Sequence, residues 1–129
     1  MPTATATLGK ADFEITATIR QHKVMFDEPQ NNGGQDMAPA PTEMLCASLC
    51  ACTIATMKIY INHKKWTVEG ITVDVDKSTN TEGKNVFKRT ITVKGNFDAD
   101  QKSRILAIAN KCPVHKILES SNIIETTLN

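Results

Sequence analysis

The sequence predicts an α+β domain in the order three strands, one long helix, two strands, two helices and a closing strand. Three observations carry that expectation. Period-two alternation fills the first segment and recurs between residues 66 and 94. A long uncharged stretch of helical composition lies between the two strand regions. A capped, amphipathic helix then follows and is interrupted by Cys112-Pro113.

The elements follow in chain order. Thr3 to Leu8 alternates threonine with alanine and ends at Gly9-Lys10, which reads as a hairpin turn. Phe13, Ile15, Ala17 and Ile19 then alternate with polar residues, the pattern of a half-buried strand, and Lys23 to Asp27 reads as a third short strand. Glu28 to Asp36 holds a proline and paired glycines and is a loop by its breaker residues. Pro41 suits a first helical turn, where its missing N–H costs nothing, and Glu43 complements the positive end of the helix dipole. From there to about His63 the residues are apolar or small all round, so this helix is expected to be enclosed by protein on most sides. One small domain struggles to enclose it alone, which points to an intimate dimer. Trp66 to Lys77, a turn over Ser78 to Gly83, and Val86 to Lys94 form a long hairpin. Asp98-Ala99-Asp100 caps the next helix, Cys112-Pro113 starts a short third one, and the β-branched run Ile123 to Thr127 reads as the last strand.

At 129 residues the chain is expected to form one domain, spanning 1–129, large enough to bury a core without staples. A formal charge of +1, with scattered bases and few aromatics, argues against a nucleic-acid or acidic-membrane partner. The N-terminus lacks a basic segment followed by an apolar one, so a cytoplasmic location is expected. The uncharged run Met44 to Met57 falls short of the roughly 18 apolar residues of a bilayer span.

The chain has four cysteines, of which Cys52 and Cys112 stand out. On a helix turning about 100° per residue, Cys46 and Cys50 share a face, whereas Cys52 lies about 200° round from Cys50. Three sulfurs so arranged cannot converge on one tetrahedral ion, and no C-x-x-C knuckle is present, so no metal is expected. Cys46 and Cys50 read as small hydrophobes in a packed environment. Cys112 sits at a helix start with Pro113 preset for the first turn, where unpaired N–H groups favour thiolate over thiol. His115 lies within one turn of it, near enough to hydrogen-bond the sulfur. Cys112-Pro113-Val114-His115 is equally compatible with an ordinary helix start. Cys52, in mid-helix, needs an imported cation for reactivity, and Arg20, Arg89 and Arg104 are the arginines the chain offers. Glu43 lies on nearly the opposite side of the helix from Cys52.

Gly33-Gly34-Gln35-Asp36-Met37-Ala38-Pro39-Ala40-Pro41-Thr42-Glu43-Met44-Leu45, with Ala51-Cys52-Thr53, resembles the first signature of the OsmC/Ohr family. Asn110-Lys111-Cys112-Pro113-Val114-His115-Lys116 is similar to its second, and Asp27-Glu28-Pro29 is similar to the OsmC-like branch. The resemblance spans essentially the whole chain. It implies mixed sheets packed on a long buried central helix, in an intertwined homodimer. It also implies thiol-dependent reduction of organic hydroperoxides without metal, flavin or haem. Cys52 then matches the peroxidatic cysteine and Cys112 the resolving one. A dithiol, such as a lipoylated protein or a thioredoxin-type partner, would reduce the disulfide that forms between them. Arg20 and Glu43 match the arginine and the carboxylate that support the reactive sulfur. In the hydroperoxide-resistance branch the glutamate follows the motif proline directly, where this chain has Thr42. A non-catalytic protein of the same fold, sensing oxidants or binding an apolar ligand, is the alternative.

Overall fold

The computed structural model describes residues 2–129. The chain divides into two compact units, one ending at Leu45 and one running from Cys46 to Asn129.

In the first unit, β1 (Thr5–Leu8), β2 (Ile15–Ile19) and β3 (His22–Phe26) form an antiparallel sheet in the order β1-β2-β3. The register pairs Ala6 with Ala17 and Ala17 with Val24. Ala17 is buried, Ile15 and Ile19 are half-buried and Thr18 is exposed, in line with the alternation, although Thr16 is half-buried as well. The loop after β3 is organised by Asp27. Its carboxylate accepts hydrogen bonds from the backbone N–H groups of Glu28 at 2.7 Å and Met37 at 3.1 Å. These bonds, with a further one from Gln35, hold its carboxyl below the ordinary value of 3.8. Gly34 is required here by space, because a Cβ at this position would run into the backbone carbonyl of Glu28.

Helix α1 (Pro41–His63) has the extent the sequence predicts. Glu43 Oε1 accepts from the backbone N–H of Ala40 at 2.8 Å, satisfying one of the donors a helix start leaves unpaired. Its burial within one chain is partial. Leu49, Thr53, Met57 and Ile61 are buried, a stripe at every fourth residue, while Leu45 and Ile59 are exposed. A single chain therefore covers one seam of α1 rather than most of its circumference. At 23 residues the helix is also long and apolar enough to cross a membrane by length and composition, more than the run 44–57 implies.

In the second unit, β4 (Gly70–Thr79) and β5 (Asn85–Lys94) form a long antiparallel hairpin that pairs Val75 with Arg89 and Val73 with Ile91. Both sheets are antiparallel, not mixed, because neighbouring strands in each are joined by short connections that leave no room for a crossover. Helix α2 (Ala99–Ala109) opens with a reciprocal capping box between Asp98 and Gln101. Helix α3 (Pro113–Glu119) starts from Cys112, with Pro113 in its first turn. Met57 and Ile61 of α1 meet Ile105 and Ala109 of α2, and Trp66, Val68, Ile71, Ile91, Val93 and Phe97 pack against this cluster.

The closing strand is absent. Residues 121–129 have no regular structure, and Ile123, Ile124 and Leu128 are 90%, 87% and 97% exposed. A strand exists through its hydrogen-bonded neighbour, and this segment has none within the chain.

Two outcomes follow from these contacts. Met57→Ala opens a cavity in the second unit's core and should lower stability by about 2–5 kcal/mol in urea unfolding. Asp27 has a lowered folded pKa, so its contribution is full above the ordinary carboxyl range and is lost as pH falls through the folded value. Urea midpoints measured from neutral to strongly acidic pH should therefore fall less steeply below about pH 4 in Asp27→Asn than in the unaltered chain.

Candidate thiol site

Two thiols far apart in sequence come together in the second unit, near enough for each to perturb the other's ionisation. Cys52 lies on α1, half-buried, and Cys112 lies at the start of α3 with no exposed surface. The seam described above sets their approach. Met57 and Ile61 dock α1 on α2, and α2 delivers Cys112 through the turn that follows Ala109.

The two sulfurs have different surroundings. For Cys52, burial pushes the thiol up, and its hydrogen bond to Cys112 adds to this, against weaker help from the Val114 N–H and the Thr56 hydroxyl. For Cys112, burial also pushes up, but the Cys52 thiol, the backbone N–H groups of His115 and Val114, and the Thr53 hydroxyl together outweigh it. The Cys112 thiol thus lies below its ordinary value.

Around this pair stands a polar network that the sequence does not announce. Arg89 Nη1 donates to Thr53 Oγ1 at 3.0 Å, and Nη2 donates to Asn110 Oδ1 at 2.8 Å. Nη2 also lies 2.9 Å from His115 Nδ1, while His115 Nε2 lies 3.0 Å from Glu119 Oε2. Thr53 Oγ1 reaches the Leu49 carbonyl at 2.6 Å. His115 therefore serves Cys112 through its backbone N–H, not through its ring, whose two nitrogens are engaged elsewhere. Arg89 was legible in one respect. It falls in phase with Phe87, Ile91 and Val93, on the inward side of β5, where a guanidinium needs a partner.

Arg89 and His115 also line a cleft of about 560 Å³ whose apolar walls are Leu49, Phe87, Ile91, Leu106 and Leu118. The cysteines themselves do not line it. Cys46 and Cys50 are half-buried free thiols, and burial, with Cys46 and Asp74 nearby, pushes the Cys50 thiol up. Arg20 is exposed at the β2–β3 turn, in the left-handed region at φ 54°, with no side-chain hydrogen bond or ion pair among the described residues. Arg20 and Glu43 belong to the first unit, Cys52 and Cys112 to the second.

The fold and the paired thiols define an α+β protein with a dithiol centre built between a long helix and the start of a short one. The OsmC family model, described as OsmC-like protein, matches residues 33–127, and the chain belongs to that family. No curated protein matches the chain. Among solved structures, it is similar to one described as an osmotic stress induced and detoxification response protein from Psychrobacter arcticus. That pair has a TM-score of 0.77 and 24% identity over 91% of this chain and 88% of the other. An OsmC like protein from Mycoplasma pneumoniae has a TM-score of 0.72 and 23% identity, over 90% and 85% of the two chains. The organic hydroperoxide resistance protein OhrB of Bacillus subtilis has a TM-score of 0.59 and 17% identity, over 90% and 88%. At these identities the likeness is one of fold.

The thiol contact has a direct chemical consequence. Mild oxidation with diamide should join Cys52 to Cys112 within one chain, leaving Cys46 and Cys50 open to alkylation. Peptide mapping by mass spectrometry reads this, and a dominant Cys46–Cys50 link would contradict it.

Proposed function

We propose that the protein reduces organic hydroperoxides through Cys52 and Cys112. The observation that carries this reading is the approach of their two thiols, one half-buried and one fully buried, near enough for each to perturb the other's ionisation. Membership of the OsmC family supports a redox or peroxide-related role, as does the name of the OhrB relative.

In this reading the Cys52 sulfur, its proton passed to Cys112, attacks one peroxide oxygen. The O–O bond breaks, the alkoxide takes up a proton and leaves as an alcohol, and Cys52 becomes a sulfenic acid. The Cys112 sulfur then attacks the Cys52 sulfur. An S–S bond forms, the S–O bond breaks, and hydroxide leaves with a proton as water. A dithiol reductant, a lipoylated protein or a thioredoxin-type partner, returns the pair to thiols by exchange. Arg20 and Glu43 enter as the cation and carboxylate that the family resemblance assigns to the reactive sulfur. The reading includes a cytoplasmic homodimer, because a second copy would cover the apolar residues that α1 leaves exposed.

A second reading is favoured by one observation. Burial pushes the Cys52 thiol up, which slows its attack at neutral pH and suits an oxidant sensor that reacts once rather than turning over.

Cumene hydroperoxide added to the reduced chain should consume two of its four thiols, and Cys52→Ser should abolish the loss. Survival of all four under excess peroxide excludes the reaction. Sustained turnover with a dithiol separates enzyme from sensor. Cys112→Ser should leave the first oxidation intact and trap Cys52 as sulfenic or sulfinic acid, visible as one or two added oxygens in the intact mass.

A further inference from the structure

Arg89 is a half-buried cation whose side-chain partners are all uncharged. Thr53 offers a hydroxyl, Asn110 an amide oxygen and His115 a ring nitrogen. Among the described residues the carboxylates within ion-pair distance of a basic side chain are Asp100, beside Arg104, and Glu119, beside the His115 ring, so none pairs with Arg89. Guanidinium is always a donor, and His115 Nδ1 must therefore accept. That leaves the ring proton on Nε2, pointing at Glu119 Oε2 3.0 Å away, and makes the imidazole neutral in this arrangement. Glu119 thus fixes the ring, the ring and Asn110 fix the guanidinium, and the positive charge stays unspent.

Thr53 connects that charge to the sulfurs. Its hydroxyl is buried, accepts from Arg89, and has a single proton to place on either the Leu49 carbonyl or the Cys112 sulfur. Leu49 retains its helical hydrogen bond if the proton turns away, so that rotation costs little. A nearby cation makes the hydroxyl a better donor to a thiolate.

We propose that Arg89 is a positioning residue for the cysteine pair, its charge stabilising the Cys112 thiolate through the hydroxyl of Thr53. Besides its partner Cys52 on α1, the titratable groups around Cys112 and Arg89 are His115 and, behind its ring, Glu119 on α3, while the end of α2 contributes the neutral Asn110. The purpose of this device rests on the hydroperoxide reading, although its measurement does not.

The test is thiolate absorbance at 240 nm during pH titration of the full chain, taken as the difference from the matching Cys112→Ser variant. Arg89→Gln should cut the thiolate fraction near neutral pH by roughly tenfold, moving the titration to higher pH. Arg89→Lys, which keeps the charge, should recover most of it, and Thr53→Val should reproduce the loss. An unchanged titration in folded Arg89→Gln overturns the inference. If that variant does not fold by circular dichroism, an unchanged titration in Thr53→Val overturns it instead. A loss caused by Arg20→Gln and not by Arg89→Gln also overturns it, by giving the role to Arg20. Titration shifts as expected without turnover of cumene hydroperoxide would remove the proposed reaction and leave Arg89's role standing. Turnover with no shift would do the reverse.

Discussion

Everything at the thiol site depends on the seam formed by Leu49, Thr53, Met57 and Ile61. Two of these residues, Met57 and Ile61, close on Ile105 and Ala109 with no exposed surface on the α1 side, which fixes the helices against each other. Thr53 stands one turn further along the same stripe, where another aliphatic residue would be unremarkable. Its hydroxyl cannot be buried without partners, and the Leu49 carbonyl and Arg89 supply them. The core thus sets the geometry of the site directly. Cys52 owes its place beside Cys112 to being the neighbour of a residue that the seam holds.

Much of the fold was legible because it depends on local pattern. Alternation placed β2, β4 and β5, the Asp98 cap placed α2, and Pro41 placed the start of α1. The two departures share a cause, since each concerns what lies opposite an element rather than the element itself. The tail 121–129 has a strand's composition but no edge to pair with. Sheet direction follows from which strands neighbour one another, and alternation within a strand does not encode that.

The site divides in the same way. Cys52 and Cys112 stood out because a thiol in mid-helix and a thiol before a proline are unusual in themselves. Arg89 did not, because it lies in a run of ordinary strand residues and its meaning comes from Thr53, Asn110 and His115, each on a different element. His115 was visible through its spacing from Cys112, but spacing could not reveal that both ring nitrogens are taken. The inward phase of Arg89 on β5 was the one available signal, and reading it requires knowing which face of the hairpin is covered.

The unequal exposure of the two sulfurs would give a bond between them a direction. Cys112 has no accessible surface and Cys52 has some, so an incoming thiolate can approach only from the helix side. The sulfur displaced by that approach is the more acidic of the two, and therefore the better leaving group. Such a cystine would open like a latch with its handle on one face. It would yield to a small or protruding reductant that can reach α1 and resist one that must work from the other side.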